Sequence, residues 1–319
     1  MVEEIIDAIR ERLIESKRVL VVSHVRPDGD AVGALLAVGL ALRNAGKKVT
    51  MVLNDGVPSN FRHLAGSNLV AEKPSGEYDT VIVVDCSEIK RAGAALAGID
   101  TPDINIDHHV TNPNFAKLNL VEADAVATSA ILTRYFTRMG LQMTPEIANA
   151  LMAGMISDTL GFRTAGVTPG TLREAADLME AGANLPEQYS WALLRRSFSA
   201  AQYWGAGLSR LDRDGRMCWG TLKLEDRKTA GYPGNDDADL INILSAINDF
   251  DISLIFVEQK NHSVKISWRS APGYDVSGLA VQFGGGGHPA AAGADIPGTL
   301  EEIQPRVLAA TKEYLNHHH

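Results

Sequence analysis

Eight side chains in four separated segments could together carry chemistry: His24, Asp28 and Asp30; Asp85; Asp107, His108 and His109; and Asp158. Each segment directly follows an apolar strand-like or helical run, so each places carboxylates or imidazoles where a buried element ends. Oxygen-rich sets with a few imidazoles suit Mn²⁺, Mg²⁺ or Fe²⁺, whereas structural Zn²⁺ usually recruits cysteine. Seven or eight ligands exceed what one ion takes from protein while leaving room for substrate. Two ions about 3.5–4 Å apart, sharing one carboxylate, would use them and could clamp the attacking and leaving oxygens of a phosphoryl group. Taken singly, Asp85 or Asp158 reads as a helix cap or turn former. The triplet Asp107-His108-His109 is harder to dismiss, because three polar groups after a buried strand are costly without partners.

The elements that must position these groups are legible in the hydrophobic pattern. A first helix over Glu3–Glu15 precedes the apolar β-branched run Arg18–Ser23, which reads as a buried strand. A small-residue helix over 31–44 follows, then strands at Lys48–Leu53, Thr80–Val84 and Asp103–Ile106. Helical periodicity covers Asp124–Met139 and Pro145–Ser157, and Thr168-Pro169 opens another helix as N-cap and first residue. Strands alternating with helices predict parallel βαβ units. In open α/β sheets ligands bind at the carboxyl ends of the strands, where the four segments would converge.

The pattern changes after about residue 190. A hairpin turn at Asp214-Gly215, a helix over Asp237–Asn248, and strands Ile252–Glu258 and Ser263–Trp268 are expected. A short helix (Val276–Phe283), a loop Gly284–Pro289 and a last helix from Thr299 complete the chain. The expected division is a first α/β domain over 1–190, a linker over 191–205, a smaller mixed α/β domain over 206–316, and a tag remnant at 317–319. The glycine run could cradle a phosphate through its backbone N–H groups. It is not a P-loop, because no Gly-Lys-Ser/Thr follows.

Composition excludes several classes. With 319 residues, 45% hydrophobic and 22% charged, the chain is globular, long enough for two cores. The net charge of −9 and the absence of any Lys/Arg tract argue against tight binding to long nucleic acid. The longest apolar stretch, Ala31–Leu42, is too short to span a bilayer. No secretory signal is visible, and Cys86 and Cys218 are too few for a disulfide framework, so a cytoplasmic protein is expected.

The segments HVRPDGDAVG (His24–Gly33), VVDCSE (Val83–Glu88), IDHHVTNPNF (Ile106–Phe115), GMISDTLGFR (Gly154–Arg163) and SWRSAPGYDVSGLAVQFGGGGHPAAAG (Ser267–Gly293) resemble the DHH phosphoesterase superfamily. Within it, the chain is similar to the short two-domain branch of oligoribonucleases (nanoRNases) and 3′-phosphoadenosine-5′-phosphate phosphatases. The resemblance implies an N-terminal parallel-sheet α/β domain that binds metal and is catalytic, and, across a cleft, a smaller mixed α/β C-terminal DHH-associated domain that binds substrate. It implies two Mn²⁺ per chain, with Mg²⁺ or Fe²⁺ as substitutes. His24 and Asp28 would hold the first ion, Asp30, His108 and Asp158 the second, and Asp85 would bridge.

By the same resemblance His109 approaches the substrate phosphate, Asp107 orients an imidazole, and Arg269, Ser270, Gly285, Gly286 and His288 contact substrate. Ala130 departs from relatives, which often carry an acidic residue there. The implied activity is hydrolysis of short RNA oligonucleotides to nucleoside 5′-monophosphates and of 3′-phosphoadenosine 5′-phosphate to AMP. Hydrolysis of linear or cyclic dinucleotides is the enzymatic alternative, and a nucleotide-binding regulator the non-enzymatic one. Expected partners are short RNAs or small nucleotides, with neither membrane nor long nucleic acid, and with room for a homodimer.

Overall fold

The computed structural model describes residues 2–317, so His318 and His319 of the expected tag remnant lie outside the described residues. The chain divides into two compact units, Met1–Arg195 and Arg196–His319, inside the stretch expected as a linker.

In the first unit, strands β1 (Arg18–Val22), β2 (Lys48–Val52), β3 (Val70–Ala71), β4 (Thr80–Val84), β5 (Ile104–Asp107) and β6 (Leu118–Val121) form one sheet. Its order is β3-β2-β1-β4-β5-β6, and every pairing is parallel. Helices α1 (Val2–Glu15), α2 (Gly29–Asn44), α3 (Thr128–Tyr135), α4 (Pro145–Asp158), α5 (Pro169–Glu180) and α6 (Leu185–Tyr189) complete the unit. Successive strand side chains face opposite ways. Val19, Val21, Ile82 and Val84 therefore join the core built with the helices. Leu20, Val22, Val81 and Val83 pack on the other face against Ala92, Ala95 and Leu96. Burial on both faces explains why these strands read as continuous apolar runs. Helix α2 is buried almost all round, as its sequence GDAVGALLAVGLALRN demands.

The second unit begins with α7 (Phe198–Ser209), β7 (Asp212–Asp214), β8 (Met217–Leu222), α8 (Leu224–Ala230) and α9 (Leu240–Leu244). It continues with β9 (Ile252–Glu258), β10 (Ser263–Ser270), α10 (Ser277–Gln282), β11 (Gly286–His288), β12 (Ala291–Pro297) and α11 (Leu300–His317). Its sheet runs β11-β12-β10-β9-β8-β7, antiparallel except for the β8–β9 pair. Leu254, Phe256, Ile266 and Trp268 face one core, and Ile255 and Val257 the other.

Three expectations are corrected. The helix expected over Asp124–Met139 is confined to Thr128–Tyr135, because the residues before it form a turn whose polar groups serve the site described below. The helix expected over Asp237–Asn248 is only Leu240–Leu244: Ala238 and Asp239 have φ of 52° and 65°, and the Asp237 carboxylate accepts the Ile241 N–H at 2.9 Å. The glycine segment is not a loop throughout: Gly286–His288 is an edge strand, paired with β12 through a turn at Pro289-Ala290.

Candidate metal centre

From β1 the chain proceeds outward through β2 and β3, then returns to place β4 on the other side of β1. The strand order reverses there, and such a switch point opens a crevice at the carboxyl ends. His24 follows β1 and Asp85 follows β4, so the topology alone brings them to that crevice. Asp107 ends β5, with His108 and His109 next in the chain, and Asp158 ends α4.

The side chains meet in three overlapping groups: His24, Asp28 and Asp85; Asp30, His108 and Asp158; and Asp85, His108 and His109. Within each group the candidate ligand atoms lie within 4.8 Å of one another. His24 Nε2 is 3.5 Å from Asp85 Oδ2 and 3.8 Å from Asp28 Oδ2. His108 Nε2 is 3.2 Å from Asp158 Oδ2 and 3.6 Å from Asp85 Oδ1. Asp28 divides its labour: Oδ1 caps α2 by accepting the N–H groups of Asp30 and Ala31, both at 3.1 Å, which leaves Oδ2 toward His24. His24 Nδ1 contacts the Val25 carbonyl at 2.9 Å and His108 Nδ1 the Ala125 carbonyl at 3.2 Å. A carbonyl only accepts, so Nδ1 carries the proton in both rings and Nε2 is presented as a ligand.

The backbone at Asp85 is left-handed, with φ of 51°. Leu160 and Phe162, just after Asp158, also have positive φ, 48° and 65°. Such positions cost about 1–3 kcal/mol each and persist where the surroundings demand them.

Electrostatics test whether cations fit. Burial, with the charges of Asp85 and Asp158 added, pushes the Asp30 carboxyl well above the usual carboxylate range. Burial and the neighbouring Asp28 and Asp85 push Asp158 up to about 6, although His108 opposes them. Burial disfavours a charged imidazole at His24, yet Asp85 and Asp28 outweigh it and raise it to about 9. Burial likewise works against charge on His108, and Asp158, Asp85 and Asp30 together carry it up to about 11. For Asp85 burial is again opposed, here by His24, His108 and His109, which hold it ionised. Carboxylates crowd together, and His24 and His108 among them are driven toward positive charge. Divalent cations satisfy that demand, and an oxygen-rich set with Nε2 donors and no thiolate fits them.

Sequence reasoning missed several supporting groups. The N–H groups of Thr128 and Ser129 donate to the two oxygens of Asp30 at 2.6 and 2.9 Å, and Thr128 Oγ1 donates to Asp85 Oδ1 at 3.0 Å. Asn112 Nδ2 donates to Asp107 Oδ2 at 2.6 Å, while Asp107 Oδ1 accepts from His109 Nδ1 at 2.7 Å. That fixes the His109 ring as expected for a carboxylate behind an imidazole. Gly154 permits the close fit: a Cβ there would lie 2.1 Å from Ser129 Oγ and 2.8 Å from Asp30 Oδ1. The polar pair Thr128-Ser129 heading an apolar helix was the available signal. Ala130 is fully buried two residues inside that helix, and its methyl group joins the core.

Residues 18–155 match the family described as "DHH family, N-terminal domain", and residues 229–317 match the "DHHA1 domain". The bifunctional oligoribonuclease and PAP phosphatase NrnA of Thermus thermophilus is 32% identical over 303 residues, covering 93% of this chain and 90% of that protein. The chain belongs to the DHH phosphoesterase family. Its Mycoplasma genitalium relative of the same name is 27% identical over 305 residues, covering 92% of each. The DHH fold is also that of an exopolyphosphatase-related protein from Bacteroides fragilis, with a TM-score of 0.87, 24% identity, and coverage of 98% and 96%.

The DHHA1 residues singled out in the sequence occupy one end of the second sheet. Arg269 on β10 and His288 on β11 are both paired with Ala291 of β12, so the three lie in one row across the sheet. Directly opposed residues share a face. Arg269 Nη1 donates to the Trp268 carbonyl at 3.0 Å, and its Nε is buried without a hydrogen-bond partner among the described residues. Ser270 Oγ lies 3.0 Å from the Tyr274 carbonyl and 3.2 Å from that of Pro289, tying the turn to β10. Gly285 meets the sheet backbone, where a Cβ would lie 2.1 Å from the Gly293 carbonyl, whereas Gly286 faces open space.

Proposed function

We propose that the protein is a two-metal phosphoesterase that hydrolyses short RNA oligonucleotides to nucleoside 5′-monophosphates and 3′-phosphoadenosine 5′-phosphate to AMP. The observation that carries this reading is Asp85, which belongs both to the group with His24 and Asp28 and to one with His108. The names of the Thermus and Mycoplasma relatives supply the substrates. His24, Asp28 and Asp85 would hold one cation, and Asp30, His108, Asp158 and Asp85 the second. Mn²⁺ suits this mixed carboxylate and imidazole set, with Mg²⁺ or Fe²⁺ as substitutes. When bound, the ions would activate water and neutralise charge on the phosphoryl oxygens.

In the hydrolysis itself, water adds to phosphorus, the P–O bond to the leaving oxygen breaks, and that oxygen gains a proton. His109 is the residue suited to this side of the reaction. Asp107 accepts from its Nδ1 and leaves Nε2 for the substrate, so the doubly protonated ring would give the Nε2 proton to the leaving oxygen. Arg269, Ser270, Gly285, Gly286 and His288 would hold the rest of the substrate, with the Arg269 guanidinium taking a phosphate in bidentate fashion. The reading places the enzyme in the cytoplasm, where short RNA fragments arise.

The test is a substrate series with Mn²⁺. A site without a basic track gains little from added nucleotides. We expect kcat/KM to be highest at about two to five nucleotides and to fall at least about tenfold for a 24-mer. Equal turnover of the 24-mer would overturn the short-substrate reading, and inactivity on both short RNA and 3′-phosphoadenosine 5′-phosphate would overturn the function.

A further inference from the structure

Between His24 and Asp28 the chain does something costly. Arg26 has φ of 55°, a left-handed conformation, and it precedes Pro27. Side chains with a Cβ avoid that region, and a following proline pushes its predecessor toward extended backbone. Glycine would relieve the first conflict and ease the second, yet arginine stands there. The surroundings enforce the turn. The Arg26 N–H donates to Asp55 Oδ2 at 2.5 Å, the Val25 N–H donates to the Arg91 carbonyl at 2.7 Å, and Pro27 is buried.

None of those contacts uses the guanidinium. It is exposed, and among the described residues nothing accepts its hydrogen bonds. Asp85 is the other strained residue at this end of the sheet whose role is visible, and there the strained residue carries a side chain the site needs. Arg26 stands two residues from one candidate ligand and two from another, beside a cluster otherwise made of carboxylates and imidazoles. A planar, permanently charged donor in that place matches a phosphate group bidentately. The scissile phosphate already has the candidate metal ligands and His109, so Arg26 would share the neighbouring phosphate with Arg269.

We propose that Arg26 is a specificity-determining contact for a second phosphate of the substrate, the one next to the phosphate being hydrolysed. This rests on the phosphoesterase reading above and adds a preference: substrates with two phosphates should outperform their one-phosphate counterparts. The pairs that expose it are 3′-phosphoadenosine 5′-phosphate against adenosine 3′-monophosphate, and a 5′-phosphorylated diadenylate against the same dinucleotide without that phosphate.

The experiment compares the full-length protein with Arg26→Gly, which relieves the backbone, and Arg26→Gln, which keeps the strain and removes the charge. Both should lose at least about tenfold in kcat/KM on the two-phosphate member of each pair, mostly through KM, and less than about threefold on the one-phosphate member. Mn²⁺ titration should be unchanged, and Arg26→Gly should melt no lower than wild type. Equal losses within each pair, no loss at all, or weakened Mn²⁺ binding in the Gln variant would each overturn the proposal. If the wild-type protein hydrolyses none of the four substrates, the phosphoesterase reading itself fails, which is a different outcome from active wild type with indifferent variants.

Discussion

The loops of the metal centre and the glycine hairpin of the second unit solve opposite problems. Around the centre the backbone turns sharply at Arg26, Asp85, Leu160 and Phe162, all with positive φ and all carrying side chains. At the hairpin, sharp or crowded backbone falls to glycine: Gly284 has φ of 75°, and Gly285 touches the Gly293 carbonyl where a Cβ would sit. At Asp85 a side chain is the working part, and the fold tolerates strain to keep it. Where the backbone is the working part, the side chain is absent.

The sharpest way to break this contrast is at Asp85. Asp85→Ala and Asp85→Gly should both lose at least about a thousandfold in kcat, near 4 kcal/mol, because a carboxylate common to two groups has no one-sided replacement. The Gly variant should nevertheless melt higher than the Ala variant, since glycine accepts the left-handed turn. Retention of a tenth of wild-type kcat in either would remove Asp85 from its bridging role. A smaller loss, about a hundredfold in kcat, is expected for His109→Ala with Mn²⁺ binding intact. His108→Ala should instead weaken Mn²⁺ binding and recover partly at excess Mn²⁺. Titration calorimetry with the reverse pattern would exchange the two imidazoles.

On the other side of the contrast, Gly285→Ala should destabilise the second unit by about 1–3 kcal/mol through overpacking against a carbonyl, and leave Mn²⁺ binding unchanged. Thermal melting with parallel metal titration reads both. The smallest effect belongs to Arg210, whose Nη2 lies 2.7 Å from Asp226 Oδ1 on an ion pair open to solvent on the arginine side. Arg210→Ala should cost roughly 0.5–1 kcal/mol at neutral pH. The Arg210 contact holds the Asp226 carboxyl below its usual range. The stability it gives is therefore fully present above the ordinary carboxylate value of about 3.9 and is lost as pH falls through the lower folded value. Wild type and variant should converge in acid; divergence there would reverse the sign.

The same contrast sorts what the sequence made legible. His24, Asp85 and the Asp107-His108-His109 triplet stood out because polar groups interrupt runs that only a buried strand explains, and the structure gathers them. Thr128 and Ser129 gave only a weak signal, a polar pair heading an apolar helix, because they act mainly through backbone N–H groups on Asp30, a partner 98 and 99 residues away in the chain. The truncation of the helix at 128 has the same origin, since the Ala125 carbonyl is needed by His108 rather than by a helical turn. Strand β11 escaped notice because glycine carries no side chain to register a period of two. Strand β6, at the sheet edge with only Leu120 buried, has no buried run to show.

Helix α2 is nearly all core, yet its first residues carry Asp30 and follow Asp28. The same docking event that hides its apolar surface delivers two of the candidate ligands to the crevice. A chain caught before that event exposes a sticky helix and has no complete set of donors to offer a cation. Metal capture is thereby coupled to the completion of folding, and a population of loaded molecules is already sorted from its misassembled siblings.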